Sequence, residues 1–342
     1  MPNISIAFQT DKALSAYGPL AAQAEAYGFD GVTVYNDMLY QPAWLPLHEM
    51  ARATRRVRLG VAAVNPFTCH PINIAGNSAL IDEASGGRTY VGIARGAWLD
   101  YVGIQPAHGI SAMAEALRCV RHLLRRDPAP LPGAFFPLAG GDALRWPAVR
   151  ADIPILLGTW GAQTLRACAG SYQEIKIGGS ANPAVLPHFR KILRAAHVAL
   201  DNPSVSHAAD TVDICIGAVC VVDEDGDAAR ARARREVALY LPVVAELDPT
   251  VAIEPERLAL LREAAARFDY TTAASAISDD LLARFAFAGT PAQVADHALA
   301  LLDAGAQRVE FGTPHGLHPE TGMRLLGEKV LPAIRAGAGS GW

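Results

Sequence analysis

Residues 58–94 read RLGVAAVNPFTCHPINIAGNSALIDEASGGRTYVGIA. Arg58–Val64 and Thr89–Ala94 are short runs of aliphatic and small residues, the composition of buried strands. Between them Ile72–Ala84 is long enough for a helix, follows a proline and stops at a Gly-Gly pair. Two strands separated by a helix pair in parallel through a right-handed crossover. The same unit recurs in both directions. Ile4–Phe8 and Gly31–Tyr35 are strands, followed by helices at Leu14–Tyr27 and Leu45–Thr54. Later strands are Ile155–Leu157, Glu174–Ile177, Val212–Val222 and Arg308–Phe311. The later helices are Ser111–Arg125, Ala162–Ala169, Ala184–Leu200, Asp227–Tyr240, Pro291–Ala304 and one near Gly322–Ile334. Eight strands result, and no G-x-G-x-x-G follows the first. An α/β (β/α)8 TIM barrel is therefore expected over a doubly wound dinucleotide fold.

Composition agrees with one such barrel spanning residues 1–342. The chain is 51% hydrophobic and only 19% charged, so it can bury a large core. Its 30 Lys and Arg against 34 Asp and Glu leave no electrostatic case for nucleic acid or an anionic membrane surface. No apolar run approaches the ~18 residues of a membrane span. Cysteines 69, 119, 168, 215 and 220 are scattered, with no C-x-x-C pair. Free thiols in a reducing cytoplasm are the expected state. Disorder is expected only at the tail Ala336–Gly341. Two stretches break the alternation: the proline-rich segment 126–152 and the largely helical segment 242–288. Both are expected as lid insertions, after strands four and seven.

Active sites of such barrels are built from residues just after each strand. Here those are Gln9, Asp11, Asp37, Tyr40, Asn65, Cys69, His70, Arg95, Gly96, Trp98, Asp100, Thr159, Trp160, Gly161, Gly179, Ser180 and His315. This set lacks an H-E-x-x-H, a carboxylate cluster and a G-x-S-x-G elbow, so no metal site is expected and hydrolytic chemistry is unsupported. Lys176 is the one lysine near a strand end, a weak basis for a Schiff base. Glycines, small hydroxyls, one arginine and large aromatics dominate instead. Gly158–Gly161 opens a helix and Gly178–Ser180 follows the next strand, a pairing suited to a phosphate, or to tight turns alone. Arg95 ends an apolar strand and calls for an anion: a cofactor phosphate, or a salt bridge to Asp37 or Asp100. Asp37 is an orienting or proton-handling group, or an N-cap of the following helix.

Residues 81–98, IDEASGGRTYVGIARGAW, with Val102-Gly-Ile104 after them, resemble the luciferase-like monooxygenase superfamily. So do residues 59–71, LGVAAVNPFTCHP, and the helix start 289–294, GTPAQV. Residues 155–170, ILLGTWGAQTLRACAG, are similar to the coenzyme F420-dependent branch typified by methylenetetrahydromethanopterin reductase. The resemblance spans essentially the whole chain and implies a barrel holding F420 or FMN at its strand ends. It implies that Asp37 faces the cofactor ring and that Ala62–Ala63 is a non-prolyl cis peptide forming a bulge behind it. It implies cofactor contacts from Asn65, Arg95, Gly96, Thr159, Gly161, Ala162, Gly179 and Ser180.

Two departures stand out: Met38 replaces a histidine and Ala97 replaces a carboxylate that supply acid–base groups elsewhere in the family. A sugar-phosphate or alcohol dehydrogenase is thereby disfavoured, and the catalytic candidates are Asp37, Tyr40 and His70. The substrate pocket is expected from Gln9, Trp98, Trp160, Tyr270 and His315. The expected activity is hydride transfer between F420 and a small organic substrate. The alternatives are an FMN-dependent monooxygenase fed by a separate flavin reductase, and an accessory subunit that kept the fold and lost turnover. Assembly as a homodimer or higher homo-oligomer is expected, through the helices Leu14–Tyr27 and Ile72–Ala84.

Overall fold

A computed structural model describes residues 2–141, 143–146, 148–198 and 211–338. The last two residues of the helix expected at 184–200, and the tail from 339, lie outside these. Nine parallel strands form the sheet: β1 (Asn3–Phe8), β2 (Gly31–Val34), β3 (Arg58–Val64), β4 (Thr89–Ala94), β5 (Ile155–Gly158), β6 (Glu174–Gly178), β7 (Asp213–Val222), β8 (Ala286–Gly289) and β9 (Arg308–Gly316). Eight of them close a barrel in the order β1 to β7, then β9, which pairs back onto β1. The protein is a (β/α)8 TIM barrel. The short strand β8, unexpected from sequence, pairs only with the carboxyl-terminal half of β7.

The helices are α1 (Leu14–Tyr27), α2 (Trp44–Ala53), α3 (Pro71–Ser85), α4 (Gly109–Leu124), α5 (Ala162–Ala167), α6 (Val185–Val198) and α7 (Gly226–Val237). They continue as α8 (Leu241–Leu247), α9 (Pro255–Ala266), α10 (Tyr270–Ser275), α11 (Asp279–Leu282), α12 (Pro291–Asp303), α13 (Pro319–Leu325) and α14 (Leu331–Ala338). Local chemistry explains the boundaries. Thr290 and Gln293 form a capping box with Pro291 at the first turn of α12. Gly28 and Gly86 take the left-handed conformation that ends α1 and α3. The main core lies between the barrel and its helices, while α7 to α11 bury a smaller cluster of their own around Leu241, Leu261 and Phe285.

The two insertions differ. Segment 126–152 follows a helix rather than a strand, so it begins at the end of the barrel opposite the strand tips. It runs as a strap along α3 and α4: Trp146 meets Gly76, and Arg150 pairs with buried Asp82 at 2.5 Å. Its turn reaches the other rim, where the Glu115 carboxylate of α4 accepts the amides of Ala134, Phe135 and Phe136. Only residues 134–136 approach the mouth, against His70 and His108. Segment 242–288 does sit at the strand tips: Val244 and Tyr240 pack on Gly179, and Asn182 holds Asp248 at 2.9 Å.

Candidate functional site

Side chains alternate in and out along a barrel strand. The inward positions nearest the strand tips are Ala7, Tyr35, Ala62, Ala94, Gly158, Gly178, Val219 and Gly312, so this end is a shallow recess bounded mostly by one-carbon side chains or none. A Cβ on Gly158 would touch Ala94, one on Gly178 would meet nothing within 4 Å, and one on Gly312 would lie 2.7 Å from the Tyr35 hydroxyl. The wall beside Ala94 is backbone. The Ala62–Ala63 peptide is cis, as the resemblance implies, and β3 shifts register there. Gly92 accommodates it, since a Cβ would fall 2.3 Å from the Val61 carbonyl oxygen.

Several expected residues gather on this rim. Gln9 donates to Asp37 at 2.7 Å and fixes that exposed carboxylate. Asp37 caps no helix; Asn36 instead accepts the Ala43 amide at 3.0 Å before α2. Asn65 is buried, holds the amides of Phe67 and Thr68, and directs its amide nitrogen to Gly96, where a Cβ would be 3.0 Å away. Gly96 has φ 87°, a conformation that favours glycine. Arg95 is exposed rather than buried, and no carboxylate pairs with it among the described residues. It lies instead against Gly109, at the first turn of α4, which has neither a side-chain cap nor an acidic residue. A cation and free amides there are both suited to an anion.

The β5 and β6 tips serve the fold more than expected. Thr159 accepts the Gly161 amide at 3.0 Å. Gly161 and Ala162 begin a helix of only six residues. Trp160 is anchored in place: its indole donates to the Gly178 carbonyl at 3.1 Å and its ring packs edge-on against Phe189. Gly179 keeps φ 76° beneath Tyr240 and Val244. Ser180 is fully buried and accepts the Asn182 amide at 3.2 Å, so its hydroxyl shapes the turn.

Other candidates are also placed differently from expectation. His70 caps α3, accepting the Ile72 amide at 3.2 Å, with its ring edge-on to Phe136. Tyr270 opens α10 and packs into the cluster around α7. Tyr40 and Trp98 are exposed on the rim. His315 is 3% exposed, and its Nε2 donates to the Ala7 carbonyl at 2.9 Å. Burial pushes its pKa down to about 4, so it is neutral above that and a poor proton donor.

Sequence reasoning passed over the barrel interior below the recess. Lys176 bonds Glu310, Arg308 bonds Glu174 at 2.6 Å, and the Tyr90 hydroxyl lies 2.5 Å from Thr33 and 3.2 Å from Arg308. Burial opposes the charge on Lys176 and Glu310, but their mutual attraction overcomes it, raising the lysine and lowering the glutamate. The signal was legible: Glu174-x-Lys176 and Arg308-x-Glu310 put opposite charges two apart on strands, hence on one face. Among the described residues no group of three His, Cys, Asp or Glu side chains could hold a metal ion, and no helix is long and apolar enough to cross a membrane.

Comparison with known proteins follows this geometry. The 5,10-methylenetetrahydromethanopterin reductase of Archaeoglobus fulgidus is 27% identical over 322 residues, covering 91% of this chain and 93% of the relative. The solved coenzyme F420-dependent tetrahydromethanopterin reductase of Methanopyrus kandleri superposes with a TM-score of 0.86 at 23% identity, over 97% of this chain and 99% of that one. The oxygenating constituent of 3,6-diketocamphane monooxygenase from Pseudomonas putida, solved with FMN, gives 0.68 at 14% identity, over 98% and 99%. The family model for luciferase-like monooxygenases matches residues 5–308. Since that match runs from β1 to the start of β9, through seven of the eight barrel strands, the chain belongs to the luciferase-like monooxygenase family.

Proposed function

We propose that this protein is an oxidoreductase that transfers hydride between coenzyme F420 and a small organic substrate at the strand-tip end of the barrel. The observation that carries the reading is the recess itself. A layer of Ala62, Ala94, Gly158 and Gly178 leaves room for a flat ring to approach the backbone. The solved coenzyme F420-dependent reductase of Methanopyrus kandleri, which superposes on more than nine-tenths of this chain, supports the same choice of cofactor. Such a group, when bound, supplies or accepts the hydride; the chain supplies position and charge. Asn65 and Gly96 form one wall. Arg95, beside the uncapped first turn of α4, holds a phosphate. Asp37, oriented by Gln9, is the proton-handling group nearest the substrate side, because His315 is neutral and His70 is engaged as a cap.

The second reading is an FMN-dependent monooxygenase served by a separate flavin reductase. It is favoured by one observation, the unpaired Arg95, which suits a terminal phosphate as well as a phosphodiester. Titration of the purified protein with each cofactor, followed by absorbance and fluorescence, separates the two. Tight binding of F420 with weak FMN binding upholds the first reading and the reverse upholds the second. Binding of neither overturns both. As a homodimer the protein would cover the outer face of α3, where Ile72 and Leu80 are about half exposed. Light scattering of wild type against Leu80→Glu tests this, with a shift to monomer expected.

A further inference from the structure

Two tyrosines point into the barrel, one layer apart. The lower, Tyr90, has its hydroxyl engaged by Thr33 and Arg308. The upper, Tyr35, stands two residues beyond Thr33, just past the tip of β2 and on the same face. Its ring lies over the Lys176 ammonium, 5.1 Å from the ring centre. Its hydroxyl extends past β1 to β9, where only the missing side chain of Gly312 admits it. That hydroxyl makes no hydrogen bond to the described residues, and the half-buried residue opens onto the recess. A phenol held this firmly, with no partner among the described residues and its hydroxyl not sealed off, is available to bond a group outside the protein.

We propose that Tyr35 is a ligand-contacting residue whose hydroxyl donates a hydrogen bond, from the floor of the recess, to an acceptor oxygen or nitrogen on the cofactor ring. This rests on the reading above that a ring cofactor occupies this end. The groups facing the phenol are Lys176 from β6, Glu310 from β9, Cys215 from β7, Asp37 beyond β2 and Tyr240 before α8. Burial, then the carboxylates of Glu310 and Asp37, push its pKa well above the ordinary 10.0. The phenol therefore stays protonated and acts as a constant donor rather than as the acid that delivers a proton. It complements Asp37, whose carboxylate offers acceptors from the rim.

The test measures F420 and FMN affinity of wild type and Tyr35→Phe by fluorescence titration, with thermal midpoints recorded alongside. The phenylalanine keeps the ring over Lys176, so the fold is expected to persist. Its affinity for the cofactor that wild type binds should fall about tenfold, the scale of one hydrogen bond in a desolvated site. A change under twofold overturns the assignment of Tyr35 while leaving the cofactor reading intact. If wild type binds neither cofactor, both fall together. Should the variant unfold, 3-fluorotyrosine placed at position 35 alone provides a second readout. Its fluorine resonance should move when the cofactor is added, and an unmoved signal alongside demonstrated binding overturns the proposal.

Discussion

Arg95, Asp37 and His315 each take their work from their surroundings. Among the described residues Arg95 meets no carboxylate, so Arg95→Ala should weaken cofactor binding by roughly 10–100-fold, the range of a charge-assisted hydrogen bond. Turnover at saturating cofactor should hold; unchanged affinity would remove Arg95 from the phosphate site. Asp37 caps nothing and is held by Gln9, so Asp37→Asn should lower turnover with an unaltered thermal midpoint. Wild-type kinetics would show the carboxylate to be dispensable. His315 links the site to stability. Its folded pKa of about 4 lies below the ordinary 6.5, so between these values the unfolded chain binds the extra proton. The contribution is intact above pH 6.5 and declines as the pH falls toward 4, by at most about 3 kcal/mol. The urea midpoint of His315→Gln should therefore vary less across that window than that of wild type, and parallel curves would contradict the assignment.

The elements themselves were largely legible, because each carries its own signal in a few neighbouring residues. The eight barrel strands fall where short aliphatic runs predicted them, and α12 begins at its Thr290 capping box. The exceptions were elements whose reason lies elsewhere in the fold. Strand β8 is four residues in an alanine-rich stretch and exists because β7 is long enough to offer it an edge. β9 continues five residues past Phe311, through the cis Thr313–Pro314 bond, to reach the same region. The strap 126–152 was expected as a lid, yet one carboxylate fastens its turn. Three amides bond Glu115, which holds its carboxyl below the ordinary range against the opposing effect of burial. Glu115→Ala should cost roughly 2–4 kcal/mol through these lost charge-assisted bonds. Limited proteolysis should then cut first near residues 134–136; a resistant turn would mean that the aromatic contacts suffice.

The barrel as a whole is layered: a buried ionic network below, a recess of small side chains above, and helices and insertions around the rim. At its centre Lys176 and Arg308 face Glu174 and Glu310, with Arg58 at the edge 4.0 Å from Glu174, and each central member depends on the others. Lys176→Met should destabilise by about 3–5 kcal/mol by leaving buried Glu310 with only Arg308, at 3.4 Å, as its cation, and Lys176→Met with Glu310→Gln should recover much of that loss. Equal destabilisation by the single and double variants in denaturant would show the pair to be uncoupled. Strand and helix order, the parallel barrel and the family motifs were carried by local composition and spacing, which act over a turn or two of chain. The partners of each side chain were not. Trp160, Ser180 and His70 read as ligand contacts because they follow strands, but in the fold Trp160 is tied to Gly178 and Phe189, and Ser180 and His70 accept amides two residues on. Tyr35 and the ionic network passed unnoticed for the converse reason. Their roles arise only when β2, β6 and β9 close into one cylinder and bring residues up to 277 positions apart within hydrogen-bonding reach.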